Sequence, residues 1–230
     1  ASKHLPMELE KVGDVVMLAY GGGSIKNNGI YDEISTILKA AGKRVVDFKG
    51  IMPNPTYKKV LEGAALAKKE KVDFILAVGG GSVSDCCKII ACAAMYEEDI
   101  WNMEFVDNKL PQKALPLGVV VTVSGTGSEQ NSGAVITHEE KKLKSALWGA
   151  HADFAILDPS YTLSVPFKQV ISGAFDTLSH AMETYFDKIQ ELCISDEINE
   201  AVMRNIIRNI REVIKNPDNL TARSELMWDS

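Results

Sequence analysis

The chain has 230 residues, of which 46% are hydrophobic and 24% charged, and its formal net charge at pH 7 is −6. This length and apolar content suffice for one large buried core, or for one domain and part of a second. The acidic charge argues against a nucleic-acid partner and against an anionic membrane surface, so any phosphate binding has to come from backbone amides. No apolar run approaches the roughly 18 residues that a membrane-spanning helix needs.

The four cysteines point to a reducing compartment. They form no C-x-x-C pair, and Cys86, Cys87 and Cys92 lie in one apolar helical stretch. We therefore expect reduced core thiols rather than disulfides or zinc ligands. The sequence also lacks the pattern of a secretory signal peptide, which favours a cytoplasmic protein.

The first part of the chain alternates short apolar strands with amphipathic helices. After the end of a helix at 7–11, we predict strands at 15–20, 45–48 and 74–78 and helices at 30–40, 57–69 and 82–96. Further strands are predicted at 117–123, 134–137 and 154–157. Strands and helices that alternate at this spacing predict βαβ units, and hence an α/β fold with a parallel sheet.

The pattern changes after Pro159. Helices are predicted at 168–186, at 196–215 and from 221 onwards, with Pro166 and Pro217 between them. We therefore predict an α/β domain at 1–162 and an all-helical domain at 163–230. Two helices and a partial third do not enclose an apolar face well, so we expect the helical domain to be incomplete in this chain.

Two of the predicted strands end in Gly-Gly-Gly-Ser, which makes them candidates for a nucleotide site. Glycines let the backbone approach a ligand closely, and the free N–H groups of the next helix suit a pyrophosphate. The candidate residues are Gly22, Gly23, Ser24, Gly79, Gly80, Gly81, Ser82 and Asp85. The second loop lacks the G-x-G-x-x-G spacing of the usual dinucleotide fold, and a tight strand–helix turn without a ligand is the alternative there.

The first glycine loop bears on the choice of nucleotide. An Asp or Glu in this place would bond the ribose 2′-hydroxyl of NAD and repel a 2′-phosphate. The loop contains neither, and Ser24 with nearby Lys26 leaves room for an additional phosphate. We therefore expect NADP rather than NAD, with an ordinary flexible turn as the alternative.

Two further groups of polar residues are candidates for ligand binding. The end of the fourth predicted strand and the loop after it contain Thr122, Thr126 and Ser128, and ligands of open α/β sheets bind at the carboxyl ends of strands. Asp176 and His180 are four residues apart in a predicted helix, so they share one face and suit a divalent metal. Zinc or iron needs three or four protein ligands, and a polar pair on a helix surface is the alternative.

Taken together, these stretches resemble the iron-containing (group III) alcohol dehydrogenase family, closest to its butanol dehydrogenase and NADP-dependent aldehyde reductase branch. The residues that carry the resemblance are YGGGSIK (20–26), Asn54-Pro55, GGGSVSD (79–85) with Lys88, TGSE (126–129), LDP (157–159) and G-x-x-D-x-x-x-H-x-x-E (173–183). The resemblance implies an α/β dinucleotide-binding domain followed by an all-helical, dehydroquinate synthase-like metal domain.

The resemblance also implies roles for individual residues. It places the second glycine loop and Asp85 at the pyrophosphate, and the first loop near the adenosine 2′ position. The residues that it places around the nucleotide are Asn54, Thr122, Thr126, Ser128, Asn131, Lys144 and Tyr161. It makes Asp176 and His180 the first two protein ligands of Fe²⁺ or Zn²⁺, and it adds no catalytic residue beyond the metal site.

The activity that the resemblance implies is hydride transfer between NADP (or NAD) and a small linear alcohol or aldehyde, assisted by the metal, in a homodimer. Family members carry two further metal-binding histidines on later helices and begin with one more strand and turn. We therefore expect a chain truncated at both ends and nearly inactive by itself. The alternatives are a glycerol dehydrogenase-like polyol oxidoreductase, an NAD-using lyase related to dehydroquinate synthase, and a non-catalytic nucleotide-binding fragment.

Overall fold

The computed structural model describes residue 1, residues 3–187 and residues 193–230. The helices are α1 (Leu5–Leu9), α2 (Ser24–Asn27), α3 (Ile30–Ala40), α4 (Tyr57–Glu70), α5 (Gly81–Ala93), α6 (Ile100–Phe105), α7 (Phe167–Tyr185), α8 (Ile194–Lys215) and α9 (Leu220–Asp229). The strands are β1 (Val15–Tyr20), β2 (Arg44–Phe48), β3 (Phe74–Gly79), β4 (Leu117–Val121), β5 (Gly133–His138), β6 (Leu143–Trp148) and β7 (Phe154–Leu157). Two short 3-10 helices lie at Ser128–Gln130 and Pro159–Ser164.

Five strands form one sheet in the order β2-β1-β3-β4-β7. Strand β1 pairs in parallel with both β2 and β3, and β3 pairs in parallel with β4. Every residue of β3 is buried, as expected for a central strand of a parallel sheet whose two faces are both covered. The parallel sheet and its helices confirm the predicted α/β fold class.

The helices beside this sheet begin where their sequences provide caps or glycines. Thr56 caps α4, because its Oγ1 accepts a hydrogen bond of 3.2 Å from the backbone N–H of Lys59. Helix α5 follows a glycine turn and packs against β3 and α4. It is buried on almost all sides, including the apolar Ile89 and Ile90. The glycine turn therefore leads directly into the core.

The structure differs from the predicted elements in several places. Strand β4 ends at Val121 instead of residue 123, and the chain continues into a loop that contains Gly125, whose φ is +142°. Helix α5 ends at Ala93, three residues before the predicted end. Helix α6 and strand β6 were not predicted. Strand β6 pairs with β5 in a separate antiparallel hairpin, so not every strand belongs to the parallel sheet.

The chain divides into two compact units. The first comprises residues 1–121 and 128–156, and the second comprises residues 122–127 and 157–230. The second unit has its own apolar cluster, which includes Ile206 and Val213 on α8 and Leu226 on α9. Among the described residues, no helix combines the length and apolar character that crossing a membrane requires.

Candidate functional site

Both glycine-rich loops lie at the same edge of the five-stranded sheet. The first follows β1 and the second follows β3, and these neighbouring parallel strands pair Tyr20 with Val78 near their ends. The strand order reverses here, because β2 lies on one side of β1 and β3 on the other. In open α/β sheets, ligands bind outside the carboxyl ends of the strands at such a reversal.

The second glycine loop turns directly into α5. A Cβ added at Gly79 would lie 2.5 Å from Cγ2 of Val83, so a side chain at this position would clash with the first turn of the helix. Gly80 is the N-cap residue of α5, and no side chain of the described residues caps the helix there. An uncapped helix N-terminus presents its first N–H groups, here from Gly81 and Ser82, to an anion.

The first glycine loop is open and has a positive charge next to it. A Cβ added at Gly22 would meet no atom of the described residues within 4 Å, whereas Gly23 has a φ of +113° and leads into α2 at Ser24. The Lys26 ammonium lies 4.2 Å from the ring centroid of Tyr31, in a cation–π contact. The loop therefore has space for a ligand group and a cation beside it.

Asp85 is held by protein groups on both carboxylate oxygens. Its Oδ1 accepts a hydrogen bond of 2.6 Å from the Ser128 hydroxyl, and its Oδ2 accepts one of 3.0 Å from the backbone N–H of Val135. The resemblance implies a place for Asp85 directly at the pyrophosphate. In the structure its partners tie it to Ser128 and to the start of β5.

Lys88 lies next to this pair, and its side chain is fully buried. Its Nζ donates to Ser128 Oγ at 3.0 Å, to Asn131 Oδ1 at 3.0 Å and to the Gly133 carbonyl at 2.8 Å. Lys88 is part of the motif that carries the resemblance, but the sequence alone indicates no role for it. The signal that could have revealed it is a single charge inside the apolar run 86–93.

Asn54 and Lys144 are 90 residues apart in the sequence, and the structure brings them together. The Lys144 ammonium, on β6, donates a hydrogen bond of 2.7 Å to Asn54 Oδ1. Asn54 has a φ of 53°, a left-handed conformation that asparagine tolerates better than most residues. This contact places two of the predicted nucleotide residues within one hydrogen bond of each other.

In the second unit, the hydroxyl-rich loop (residues 122–127) packs against α7 backbone to backbone. A Cβ added at Gly173 would lie 2.4 Å from the carbonyl oxygen of Ser124, and one added at Gly125 would lie 2.7 Å from Gly173 Cα. The Thr177 hydroxyl is 3.1 Å from the carbonyl oxygen of Gly173 and 3.4 Å from that of Gly125. Two glycines thus permit a close approach that fixes the loop on the helix.

The next turn of α7 carries Asp176 and His180. Asp176 Oδ2 lies 3.9 Å from His180 Nε2, and the two side chains are 50% and 56% exposed. Two metal bonds of about 2.0–2.2 Å each span up to about 4 Å, so these donors fit as a pair of ligands for one divalent cation. Within the described ranges, no three or more His, Cys, Asp or Glu side chains assemble into a metal-binding group.

Tyr161, the remaining predicted nucleotide residue, is buried in the 3-10 helix of the second unit. Asp158 caps this helix, since its Oδ1 accepts a hydrogen bond of 3.1 Å from the N–H of Ser160.

The predicted site residues are divided between the two units. The first unit contains Gly22, Gly23, Ser24, Asn54, Gly79, Gly80, Gly81, Ser82, Asp85, Ser128, Asn131 and Lys144. The second unit contains Thr122, Thr126, Tyr161, Asp176 and His180.

Comparison with known proteins identifies the family. The profile described as "Iron-containing alcohol dehydrogenase" matches residues 1–159, and the one described as "Fe-containing alcohol dehydrogenase family, C-terminal" matches residues 170–230. The chain is 41% identical over 229 residues to a probable NADH-dependent butanol dehydrogenase of Bacillus subtilis, which covers 98% of this chain and 59% of that protein. It is 40% identical over 217 residues to an NADPH-dependent aldehyde reductase of Escherichia coli, with 93% and 56% covered.

Solved structures agree with the sequence matches. The crystal structure of an NADH-dependent butanol dehydrogenase from Thermotoga maritima has a TM-score of 0.90 at 41% identity and covers 98% of this chain. This chain covers 56% of that protein, so it spans less than 60% of the length of each of these three relatives. These matches confirm the resemblance seen in the motifs: the chain belongs to the iron-containing alcohol dehydrogenase family.

Proposed function

We propose that the chain serves NAD(P)-linked, metal-dependent hydride transfer between the nicotinamide ring and a small linear alcohol or aldehyde. The observation that carries this proposal is the pair of glycine loops at the reversal of strand order between β1 and β3. The printed names of the relatives, butanol dehydrogenase and aldehyde reductase, support the substrate class. In this proposal, residues 1–162 form the dinucleotide-binding domain and residues 163–230 form part of a metal-binding domain.

The uncapped N-terminus of α5 is the proposed pyrophosphate site. Its backbone N–H groups supply hydrogen bonds and the positive end of the helix dipole, which a chain of net charge −6 does not offer through a basic surface. The residues proposed around the rest of the nucleotide are Gly22, Gly23, Ser24, Asn54, Thr122, Thr126, Ser128, Asn131, Lys144 and Tyr161. Asp85 acts through Ser128, because both of its oxygens are held by protein donors.

Asp176 and His180 are the proposed ligands of Fe²⁺ or Zn²⁺. Carboxylate and imidazole donors suit both ions, and the two half-exposed side chains lie on one face of α7. A bound divalent ion at this position would supply Lewis-acid polarisation of the substrate oxygen. The close packing of α7 on the hydroxyl-rich loop fixes the helix backbone that carries both ligands.

We propose NADP as the preferred nucleotide. The first glycine loop contains no carboxylate that would repel a 2′-phosphate, and the Lys26 ammonium lies beside it. The test is a fluorescence titration of NADPH and NADH against the wild type, Gly22→Asp and Gly22→Asn. Both substitutions enter open space, so the matched pair differs only in charge.

We expect the wild type to bind NADPH more tightly than NADH. Gly22→Asp weakens NADPH binding by about 10-fold through charge repulsion, whereas Gly22→Asn leaves it within about 2-fold. Tighter binding of NADH by the wild type would overturn the preference. Failure of both nucleotides to bind at millimolar concentration would overturn the nucleotide site itself.

The substrate class is tested by the oxidation of NADPH in the presence of Fe²⁺ or Zn²⁺, at the low rate expected of a chain that is nearly inactive by itself. Butyraldehyde represents the linear aldehydes, and dihydroxyacetone represents the polyol-derived carbonyl compounds. A higher rate with butyraldehyde supports the proposal, and a higher rate with dihydroxyacetone points to a polyol oxidoreductase. Asp176→Asn serves as the control for dependence on the proposed metal site.

We further propose a cytoplasmic homodimer without a nucleic-acid partner. Cys86, Cys87 and Cys92 are buried free thiols, and burial raises the pKa of Cys86 to about 12, which fits inert core cysteines in a reducing compartment. Large apolar side chains such as Phe175 and Ile198 are more than half exposed and favour association. Analytical ultracentrifugation measures the oligomeric state directly.

A further inference from the structure

Lys88 is a buried cation within the otherwise apolar stretch 86–93 of helix α5. Its side chain has no exposed surface, and its neighbours along α5 are cysteines, isoleucines and alanines. An ammonium group in such a place is stable only if its hydrogen bonds are satisfied. The three acceptors of Lys88 are therefore central to what this residue does.

All three acceptors belong to one short segment, residues 128–133, which we call the clamp loop. They are the hydroxyl of Ser128, the side-chain carbonyl of Asn131 and the backbone carbonyl of Gly133. Asn131 Oδ1 also accepts a hydrogen bond of 3.0 Å from the backbone N–H of Gly133, which closes the loop on itself. The ammonium thus contacts the clamp loop at its beginning, middle and end.

Helix α5 holds the clamp loop at a second point, one turn before Lys88. The carboxylate of Asp85 accepts from Ser128 Oγ at 2.6 Å and lies 4.0 Å from the Lys88 ammonium. The helix that carries both residues begins at the second glycine loop. The position of the clamp loop is therefore tied to the helix whose N-terminus is the proposed pyrophosphate site.

The stem of Lys88 has little freedom to move. A Cβ added at Gly149 would lie 2.9 Å from Lys88 Cβ, and the backbone N–H of Ala150 donates to the Lys88 carbonyl at 3.3 Å. The segment after β6 therefore covers the helix at this residue. A side chain confined in this way delivers its donors to fixed points in space.

We propose that Lys88 is a positioning residue, which sets the conformation of the clamp loop so that Ser128 and Asn131 reach the nucleotide. This inference rests on the proposed function, in which those two side chains contact the cofactor. An apolar residue of similar shape would cost less to bury than an ammonium group. The three directed hydrogen bonds are what the lysine adds, and all of them end on the clamp loop.

Protonation of Lys88 sets how many of these bonds it can donate. Burial lowers the pKa of Lys88 to about 8, while the charged groups that face it, Asp85 on its own helix and Glu129 on the clamp loop, act in the opposite direction. An ammonium group has three donors and a neutral amine has two. Above pH 8, the clamp loop therefore loses one of its three bonds from Lys88.

The first test compares NADPH binding by the wild type, Lys88→Met and Lys39→Met between pH 6.5 and 9.5. Methionine keeps the length of the stem without its donors, and Lys39 is an exposed lysine on α3 that serves as the matched control. We expect Lys88→Met to raise the NADPH dissociation constant roughly 10-fold at pH 7, through the loss of hydrogen bonds that hold the loop.

The pH profile separates a positioning role from a purely structural one. Binding by the wild type and by Lys39→Met should weaken as the pH rises through about 8. Binding by Lys88→Met should not show this step. A folded Lys88→Met with the wild-type dissociation constant and the wild-type profile would overturn the inference.

Amide hydrogen exchange tests the clamp loop without reference to the nucleotide. We expect faster exchange at residues 128–133 in Lys88→Met, with unchanged exchange in β3. If the wild type and Lys39→Met bind no nucleotide at all, the proposed function fails, and unchanged exchange in the clamp loop overturns the positioning role separately.

A second variant covers the case in which Lys88→Met does not fold. Glu129→Gln keeps the shape of the side chain and removes one of the two negative charges that raise the pKa of Lys88. The pH at which NADPH binding weakens should then move to a lower value than in the wild type. A midpoint that does not move would contradict the role of the Lys88 ammonium.

Discussion

The residues proposed to bind the nucleotide and those proposed to bind the metal are held in different ways. Ser128 lies in a buried network, fixed by Asp85 on one side and by Lys88 on the other. Asp176 and His180 lie half-exposed on α7, with 3.9 Å between their nearest nitrogen and oxygen atoms. One region is organised by its own hydrogen bonds, and the other by the backbone of a single helix.

This difference indicates when each site takes its final form. A buried charged network costs much free energy if its hydrogen bonds are only partly made. We therefore expect the residues of this network to take their positions as the chain folds. An exposed pair on a helix surface contributes little to stability, and its side chains remain free to rotate towards an ion. We therefore expect substitutions in the network to change folding and cofactor affinity together, and substitutions of the exposed pair to change metal affinity alone.

The largest expected effect comes from the exposed pair. Asp176→Asn or His180→Ala removes a direct ligand and should lower Zn²⁺ affinity by at least about 100-fold, since even outer-shell partners contribute about 10–100-fold. Isothermal titration calorimetry measures this, with Glu97→Gln as a control because that carboxylate is 95% exposed. Unchanged Zn²⁺ binding in both variants would place the ion elsewhere.

The buried lysine should make stability depend on pH. The folded chain holds the Lys88 proton more weakly than the unfolded chain does, because the pKa of Lys88 falls from 10.5 to about 8. Between these pH values the unfolded chain binds more protons, so the free energy of unfolding rises with pH, by roughly 3 kcal/mol in total.

Urea denaturation of the wild type and of Lys88→Met between pH 7.5 and 10.5 isolates this effect, because all other titrating groups are shared. The stability of the wild type relative to Lys88→Met should increase across the interval. A constant difference between the two proteins would show that the buried amine does not titrate in this range.

The close packing of α7 against the hydroxyl-rich loop predicts a smaller loss of stability when that packing is disturbed. Gly173→Ala forces a Cβ to within 2.4 Å of the Ser124 carbonyl oxygen, which is backbone and does not move easily. We expect destabilisation by about 2 kcal/mol, as is usual for overpacking. Gly22→Ala is the matched control, since its Cβ meets no atom within 4 Å in the part of the chain that the structure describes. Equal stability of the two variants would argue against the observed contact.

The smallest expected effect concerns the N-terminal cap of α4. Thr56→Ala removes the cap of α4 and should cost about 1 kcal/mol of stability. Affinities for NADPH and Zn²⁺ should stay at the wild-type values when measured well below the unfolding temperature. A change in either affinity would mean that the two regions are coupled more widely than their hydrogen bonds indicate.

The parts of the fold that could be predicted are those with a clear pattern of apolar residues in the sequence. The runs that form β1 and β3 are continuous and apolar, and each ends at glycine, so both strands, both turns and helix α5 are predictable from the sequence. Strand β6 was missed because only Leu147 is buried in it, which leaves no alternation to detect. Helix α6 was missed because six residues are too few for a helical period to appear.

In the candidate site, too, some contacts could be predicted from the sequence and others could not. Spacing along one helix was enough to place Asp176 beside His180, because side chains four residues apart share a face. The contact between Asn54 and Lys144 and the three acceptors of Lys88 join residues that are 40 to 90 positions apart. Such contacts depend on tertiary packing, which no local pattern encodes.

The most direct test of the account is an NMR titration of the isotope-labelled chain with NADPH. We predict that amide shifts change at Gly79–Ser82 and in the clamp loop, with the first glycine loop responding to NADPH more than to NADH. Saturable changes confined to those segments would support a nucleotide site at the carboxyl ends of β1 and β3 that is already formed before NADPH binds. An absence of changes at the second glycine loop, with binding detected elsewhere in the chain, would contradict it.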